Sequence, residues 1–198
     1  MPKKLIIIDT SDYIGRLQAL GLSRDSDIII LSLGSRQEFI DELNGLIRQR
    51  MVFDRVVFRT HGYTGVIWFG AKKIYDTSWL SLAVEINFAA LFPGPTKIYF
   101  DACDTAEGEE GTKFLTKAGQ TLLRAGGGST SGWTSLGFAV PGFIPFIGGH
   151  TIHTDSEDLK TFHFKPGGIL EERRRPLGDE DRPRYHHRNF DGTWRPRR

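Results

Sequence analysis

His61 and Cys103 are the residues whose types and positions suit nucleophilic chemistry. Cys103 is the one cysteine of the 198-residue chain, and it follows a hydrophobic run in "YFDACDTA". A thiolate is the reactive form of cysteine, and a nearby imidazole or helix N-terminus makes it available near neutral pH. Gly62 follows His61 directly, and a glycine lets backbone N–H groups approach a substrate carbonyl closely.

The two residues end two segments that read as buried strands, "RVVFRTHG" (55–62) and "KIYFDAC" (97–103). Ligands of open α/β sheets collect beyond the carboxyl ends of the strands, so we expect the imidazole and the thiol at one edge. Two observations leave this open. A lone cysteine is often a small buried hydrophobe, and acidic residues at 104, 107, 109 and 110 act against a thiolate.

Short β-branched runs alternate with helical patterns, which is typical of α/β proteins with a parallel sheet. Strands are predicted at 4–9, 27–33, 55–62, 97–103 and 128–134, a hairpin arm at 65–70, and a last pair at 150–155 and 159–168. Helices are predicted around 13–20, after Ser35 and Glu38, which have capping-box spacing, and over 77–91 and 111–125.

"RTHGYTG", followed about forty residues later by "IYFDACDTAEGEEGTKFL", resembles the caspase-like cysteine peptidases, which include metacaspases, paracaspases and bacterial CHAT-type domains. The likeness covers about residues 5 to 168. It implies a three-layer α/β/α sandwich with a mostly parallel central sheet, and a cysteine endopeptidase that cleaves proteins or peptides.

The resemblance also implies roles for single residues. Cys103 would attack the scissile carbonyl, His61 would polarise it or protonate the leaving amine, and the N–H groups of Gly62 and Cys103 would hold the oxyanion. Asp101, two residues before Cys103, would select Arg or Lys, as in metacaspases and paracaspases. The chain departs from the metacaspase pattern beside both motifs, with Arg59-Thr60 before His61 and Asp-Thr-Ala after Cys103.

The glycine-rich stretch "GGGSTSGW" (126–133) lacks the Gly-Lys of a phosphate loop and the Gly-x-Ser-x-Gly of a lipase elbow at Ser131. We expect it to admit an extended peptide beside Cys103, with Ser129 and Trp133 as substrate-binding residues; a core position for Trp133 is the alternative. The remaining histidines, at 150, 153, 163, 186 and 187, have no matched partner in the sequence.

Composition predicts one domain over 1–168 and a basic, flexible tail over 169–198. One cysteine excludes an internal disulfide and favours the cytoplasm. No cofactor or metal is expected, although residues 104–110 offer carboxylates for a weak calcium site. The apolar segment 136–149 is broken by prolines and glycines, so neither it nor any other segment is expected to span a membrane.

The expected partner is a protein or peptide substrate, and a regulatory protein is a second candidate; nucleic acid is not expected. Two alternatives remain. The first is a catalytically inactive caspase-like domain that serves as an interaction module. The second is a flavodoxin-like binder of a small molecule, in which His61 would lie far from Cys103.

Overall fold

A computed structural model of the chain describes residues 3–11, 27–135, 137–139, 151–153 and 159–171. The described part is an α/β structure built on a seven-stranded, mostly parallel mixed sheet. The strands are β1 (Lys3–Asp9), β2 (Ile28–Leu33), β3 (Phe53–Arg59), β4 (Gly62–Tyr63), β5 (Val66–Phe69), β6 (Lys72–Ile74), β7 (Thr96–Asp101), β8 (Gly128–Trp133), β9 (Gly137–Ala139), β10 (Thr151–His153), β11 (Leu159–Lys165) and β12 (Ile169–Glu171). The predicted parallel strands are confirmed within a few residues.

The large sheet has the strand order β12-β11-β8-β7-β3-β1-β2. The five strands from β8 to β2 are parallel, and β11 and β12 are added antiparallel. A separate antiparallel sheet, β4-β5-β6, follows β3 and contains the predicted hairpin arm. The predicted last strand pair is wrong in its pairing, because β10 pairs with β9, whereas β11 lies between β8 and β12.

Four helices are described: α1 (Arg36–Arg48), α2 (Ser78–Glu85), α3 (Phe88–Leu91) and α4 (Gly108–Leu122). Helix α1 begins as its capping-box spacing predicts, since Ser35 Oγ accepts from the N–H of Glu38. The Glu38 carboxylate, however, accepts from the N–H of Gly34. The single helix predicted over 77–91 is two helices, because Ile86 adopts an extended conformation between them.

The main core joins the helices to one face of the large sheet. Phe58 of β3 stacks on Phe100 of β7 with 5.0 Å between ring centroids, and Trp79 and Phe114 cover Phe100 from α2 and α4. These four side chains are at most 2% exposed. Burial of one such side chain contributes about 1.5–3 kcal/mol, so this cluster fixes β3 and β7 side by side.

Several predictions fall outside the described residues: the helix around 13–20, most of the apolar segment 136–149, His150, His186, His187 and residues 172–198 of the tail. Strand β12 lies just beyond the predicted domain boundary at 168. Within the described part, no helix is long and apolar enough to cross a membrane.

Candidate functional site

The candidate site is the carboxyl edge of the large sheet, where β3 and β7 end. Arg59 and Asp101 are the last directly paired residues of these neighbouring parallel strands. His61 follows Arg59 by two residues and Cys103 follows Asp101 by two residues. Both side chains are partly exposed, and their strands lie about 4.8 Å apart at the last pair.

Gly62 brings the two loops into direct contact. A Cβ atom built on Gly62 would lie 2.6 Å from Ala102 Cβ, 2.6 Å from Thr105 Oγ1 and 3.0 Å from the carbonyl oxygen of Cys103. Real Cβ atoms essentially never come within 3.0 Å of such neighbours. The close approach of the His61 loop to the Cys103 loop therefore depends on glycine at position 62, and it differs from the wide separation that a flavodoxin-like binder predicts.

Hydrogen bonds hold the two loops in this position. The N–H of Gly65 donates to the carbonyl of Thr105 at 3.2 Å, and Thr64 Oγ1 donates to the Glu107 carboxylate at 2.9 Å. Within the second loop, the Thr105 hydroxyl donates to the carbonyl of Cys103. The His61 loop and the Cys103 loop therefore form one bonded unit.

The β4–β5 pairing leaves the N–H of Gly62 outside the ladder. Trp68 N donates to the carbonyl of His61 at 3.1 Å, so His61 and Trp68 form a hydrogen-bonded pair. Hydrogen-bonded and non-hydrogen-bonded pairs alternate in an antiparallel ladder, and the next pair, Gly62–Ile67, is therefore a non-hydrogen-bonded pair. A donor that is not used by the sheet, beside the Cys103 loop, is what an oxyanion hole requires.

Strand β5 also supports the imidazole. The rings of His61 and Trp68 lie 6.0 Å apart and are tilted by 39°, and Lys73 Nζ lies 5.5 Å from the centre of the Trp68 ring. The indole Nε1 of Trp68 is buried without a hydrogen-bond partner. The small sheet β4-β5-β6 thus forms one wall of the site.

Asp101 lies beneath the site, with an ionic partner from the neighbouring strand. Arg59 Nε donates to Asp101 Oδ2 at 3.1 Å, and the two side chains are 7% and 1% exposed. The buried Asp9 ends β1, one residue beyond the partner of Arg59, and accepts from the N–H groups of Ser11 and Gly70. The Arg59–Asp101 pair joins the ends of β3 and β7, whereas Asp9 joins the end of β1 to the residue that follows β5.

Trp133 is near the site, whereas Ser129 is not. Trp133 ends β8, is 7% exposed, and its carbonyl accepts from the N–H of Ala106 in the Cys103 loop at 2.8 Å. Ser129 is paired with Lys97, near the amino end of β7. Because both strands run toward Cys103, four more residues of β8 separate Ser129 from the edge, and Ser129 is not part of the candidate site.

The charges around the Cys103 loop are of both signs. Among the acidic residues, Glu107, Glu109 and Glu110 are exposed. The hydrogen bond from Lys113 lowers the pKa of Glu109, and Lys113 also pairs with Glu110. One cation, Lys113, therefore lies close to the acidic run.

Lys160 reaches the same loop from β11. Its Nζ donates to the carbonyl of Ala106 at 2.8 Å, to Thr112 Oγ1 at 3.2 Å and to the carbonyl of Gly108 at 3.4 Å. Burial lowers the pKa of Lys160. The ammonium group thus anchors the end of the Cys103 loop to the first turn of α4.

Sequence reasoning missed Arg59 and Lys160 as contributors to this site. A signal for Arg59 exists, because opposite charges stand two residues before His61 and Cys103. No local signal exists for Lys160, which is more than fifty residues from Ala106. Across the described residues, no three His, Cys, Asp or Glu side chains are grouped to bind a metal ion.

One family model matches the chain. It is described as a domain of unknown function (DUF4347) and covers residues 5–125, more than half of the sequence. The chain therefore belongs to the DUF4347 family. The matched segment runs from β1 through α4 and contains both His61 and Cys103. No curated protein matches the sequence.

Proposed function

We propose that this DUF4347 protein is a cysteine endopeptidase of caspase-like type, with Cys103 as nucleophile and His61 as its acid–base partner. The observation that carries the proposal is the contact at Gly62, which joins the His61 loop to the Cys103 loop at the carboxyl edge of the sheet. The caspase-like three-layer arrangement and a cytoplasmic location belong to the same proposal.

The chemistry divides one difficult hydrolysis into two steps. The thiol proton of Cys103 passes to His61, and the sulfur adds to the carbonyl carbon of the scissile bond. His61 then protonates the leaving amine as the C–N bond breaks, which leaves a thioester. Water, deprotonated by His61, attacks this thioester, releases the carboxylic acid product and restores the thiol.

The oxyanion that forms in both steps needs donors that are already oriented. We assign this role to the N–H groups of Gly62 and Cys103. The proposal is supported at Gly62 by the β4–β5 ladder, which does not use that N–H. Removal of one such donor slows comparable enzymes by about 10²–10³-fold.

The substrate is a protein or peptide chain, which would lie in extended form near Trp133. Preference for Arg or Lys is a separate proposal that rests on Asp101. Arg59 already neutralises this carboxylate, so a substrate guanidinium would gain less there than at an unpaired carboxylate. Specificity is therefore tested apart from catalysis.

Two reagents test the proposal, since every thiol modification of this chain maps to Cys103. Iodoacetamide measures how accessible the thiol is. A peptide chloromethyl ketone ending in Arg binds as a substrate does, so its labelling rate measures attack by the Cys103 thiol on a bound substrate analogue. We expect the ketone to label wild type rapidly.

Cys103→Ala should abolish cleavage of a denatured protein substrate, and His61→Ala should slow it by about 10²–10⁴-fold.

His163→Ala is the matched control, because His163 lies on β11, away from this edge. It should cleave and react like wild type. The peptidase proposal is wrong if iodoacetamide labels Cys103, the ketone labels Cys103 no faster than iodoacetamide does, and no substrate is cleaved. The same result would favour the inactive caspase-like interaction module.

A further inference from the structure

One transverse row of the large sheet is polar across six strands. Successive register partners make up the row, which consists of Lys4, Arg55, Lys97, Ser129, His163 and Glu171. Directly paired residues of neighbouring strands project from the same face. The sheet therefore presents a continuous line of polar side chains near the amino ends of its parallel strands.

Like charges stand directly opposite one another in this row. Lys4 is paired with Arg55, and Arg55 with Lys97, an arrangement that destabilises a sheet. Burial lowers the pKa of Lys4, and the charges of Arg55 and Arg59 lower it further. Three cations side by side on one face of the sheet create a positive potential that favours an anionic ligand.

A groove of about 780 Å³ follows the row. Besides the row itself, its walls include Pro95 and Pro166, and the backbone of Gly126 and Gly128. Its volume is in the range of small-molecule sites. The two flanks of the groove are acidic, with Asp27 and Asp54 toward β2 and β3, and Glu171 on β12, where Lys165 pairs with it.

We propose that this groove binds the phosphate groups of a small phosphorylated ligand. The three cations extend over two strand spacings, about 10 Å, which suits one or two phosphates. The hydroxyl of Ser129 and the imidazole of His163 continue the row as further hydrogen-bonding groups. A long polyanion is disfavoured because the acidic flanks would repel it.

This site is independent of the proposed peptidase chemistry. The row lies toward the amino ends of β3, β7 and β8, whereas His61 and Cys103 follow the carboxyl ends of β3 and β7. The two proposals can therefore succeed or fail separately, and Cys103→Ala should bind the ligand like wild type.

Calorimetric titration of the full chain with pyrophosphate tests the site at low salt. We expect saturable binding that weakens about tenfold in Arg55→Gln, because one charge-assisted contact is lost. Lys4→Met combined with Arg55→Gln should weaken it further. Lys72→Gln is the control, since Lys72 is an exposed lysine on β6, outside the groove. Thermal melting of each variant checks that the fold is retained.

Three outcomes would overturn the proposal: absence of pyrophosphate binding, equal weakening in Lys72→Gln, or unchanged binding in Arg55→Gln. A single-stranded oligonucleotide is titrated in parallel. Tighter binding of the oligonucleotide than of pyrophosphate, lost in Arg55→Gln, would assign the groove to nucleic acid and refute a small phosphorylated ligand.

Discussion

Arg59 and Asp101 are direct partners on adjacent parallel strands, and their buried ion pair lies two residues before His61 on one strand and two before Cys103 on the other. The pair fixes the relative position of β3 and β7 where the candidate site begins. Its integrity should therefore affect both the stability of the sheet and the geometry of the two loops.

Asp101→Asn should destabilise the protein by about 3–5 kcal/mol, because it removes the negative charge that Asp101 holds against the buried guanidinium of Arg59. Adding Arg59→Met should recover part of this loss. Urea unfolding of the single and double variants measures both effects. Glu85→Gln, which breaks the exposed pair with Arg36, is the control and should change stability by less than about 1 kcal/mol.

Asp101 also tests specificity. If its carboxylate binds a substrate guanidinium, a peptide library should show a preference for Arg in wild type that disappears in Asp101→Ala. The buried pair with Arg59 gives the opposite expectation, in which every substrate is cleaved more slowly and the preference is unchanged. Cleavage profiles normalised to total rate separate these two results.

Gly62→Ala should damage the site through sterics alone. The added methyl group would overlap Ala102 and Thr105, and such overpacking costs about 1–3 kcal/mol. We expect a lower melting temperature and a change in the rate of Cys103 alkylation. Gly94→Ala is the matched control, because nothing lies within 4 Å of its added Cβ; an equal response in both variants would refute the contact.

The sequence predicted the parallel strands and the two strand ends because buried β-branched runs and glycine signals are local. The contact at Gly62 and the Arg59–Asp101 pair could not be predicted in this way, because they depend on which strands are neighbours and in which register. Pairing partners are separated by about forty residues, and nothing in either segment encodes the register.

The same reasoning explains the misplaced strand pair and Ser129. Strand β10 pairs with β9 and strand β11 with β8, a choice that residues 150–168 do not reveal by themselves. Ser129 shares a glycine-rich stretch with Trp133, but four residues of an extended strand span about 13 Å. Their proximity in sequence predicted both Ser129 and Trp133 at the site, whereas the direction of β8 places only Trp133 there.

Lys160 offers a test of loop positioning that does not require peptidase activity. Lys160→Met removes the donor to the carbonyls of Ala106 and Gly108, and loss of such bonds costs about 1–3 kcal/mol. The rate of Cys103 alkylation should change more than in Lys117→Met, an exposed lysine of α4. Lys160→Arg should restore part of the wild-type rate, and failure of the rescue would contradict an anchoring role.

The pH dependence of stability tests the cationic row at Lys4. Burial, with the charges of Arg55 and Arg59, lowers the pKa of Lys4 below its ordinary value of 10.5. Between the lowered folded pKa and 10.5, the unfolded chain holds more protons than the folded chain, so this residue makes stability rise with pH. At lower pH, Lys4 is protonated in both states and the full penalty for burying its charge remains.

Lys4→Met lacks this titration. The free energy of unfolding of the variant minus that of wild type should therefore decrease as the pH rises from 7 toward 10.5. Urea unfolding at several pH values measures the difference, which cancels the titration of groups common to both proteins. Lys72→Met on the exposed strand β6 is the control. Arg55→Gln should reduce the effect, because it removes one of the charges that oppose protonation of Lys4; a difference that is constant with pH would contradict the cationic row.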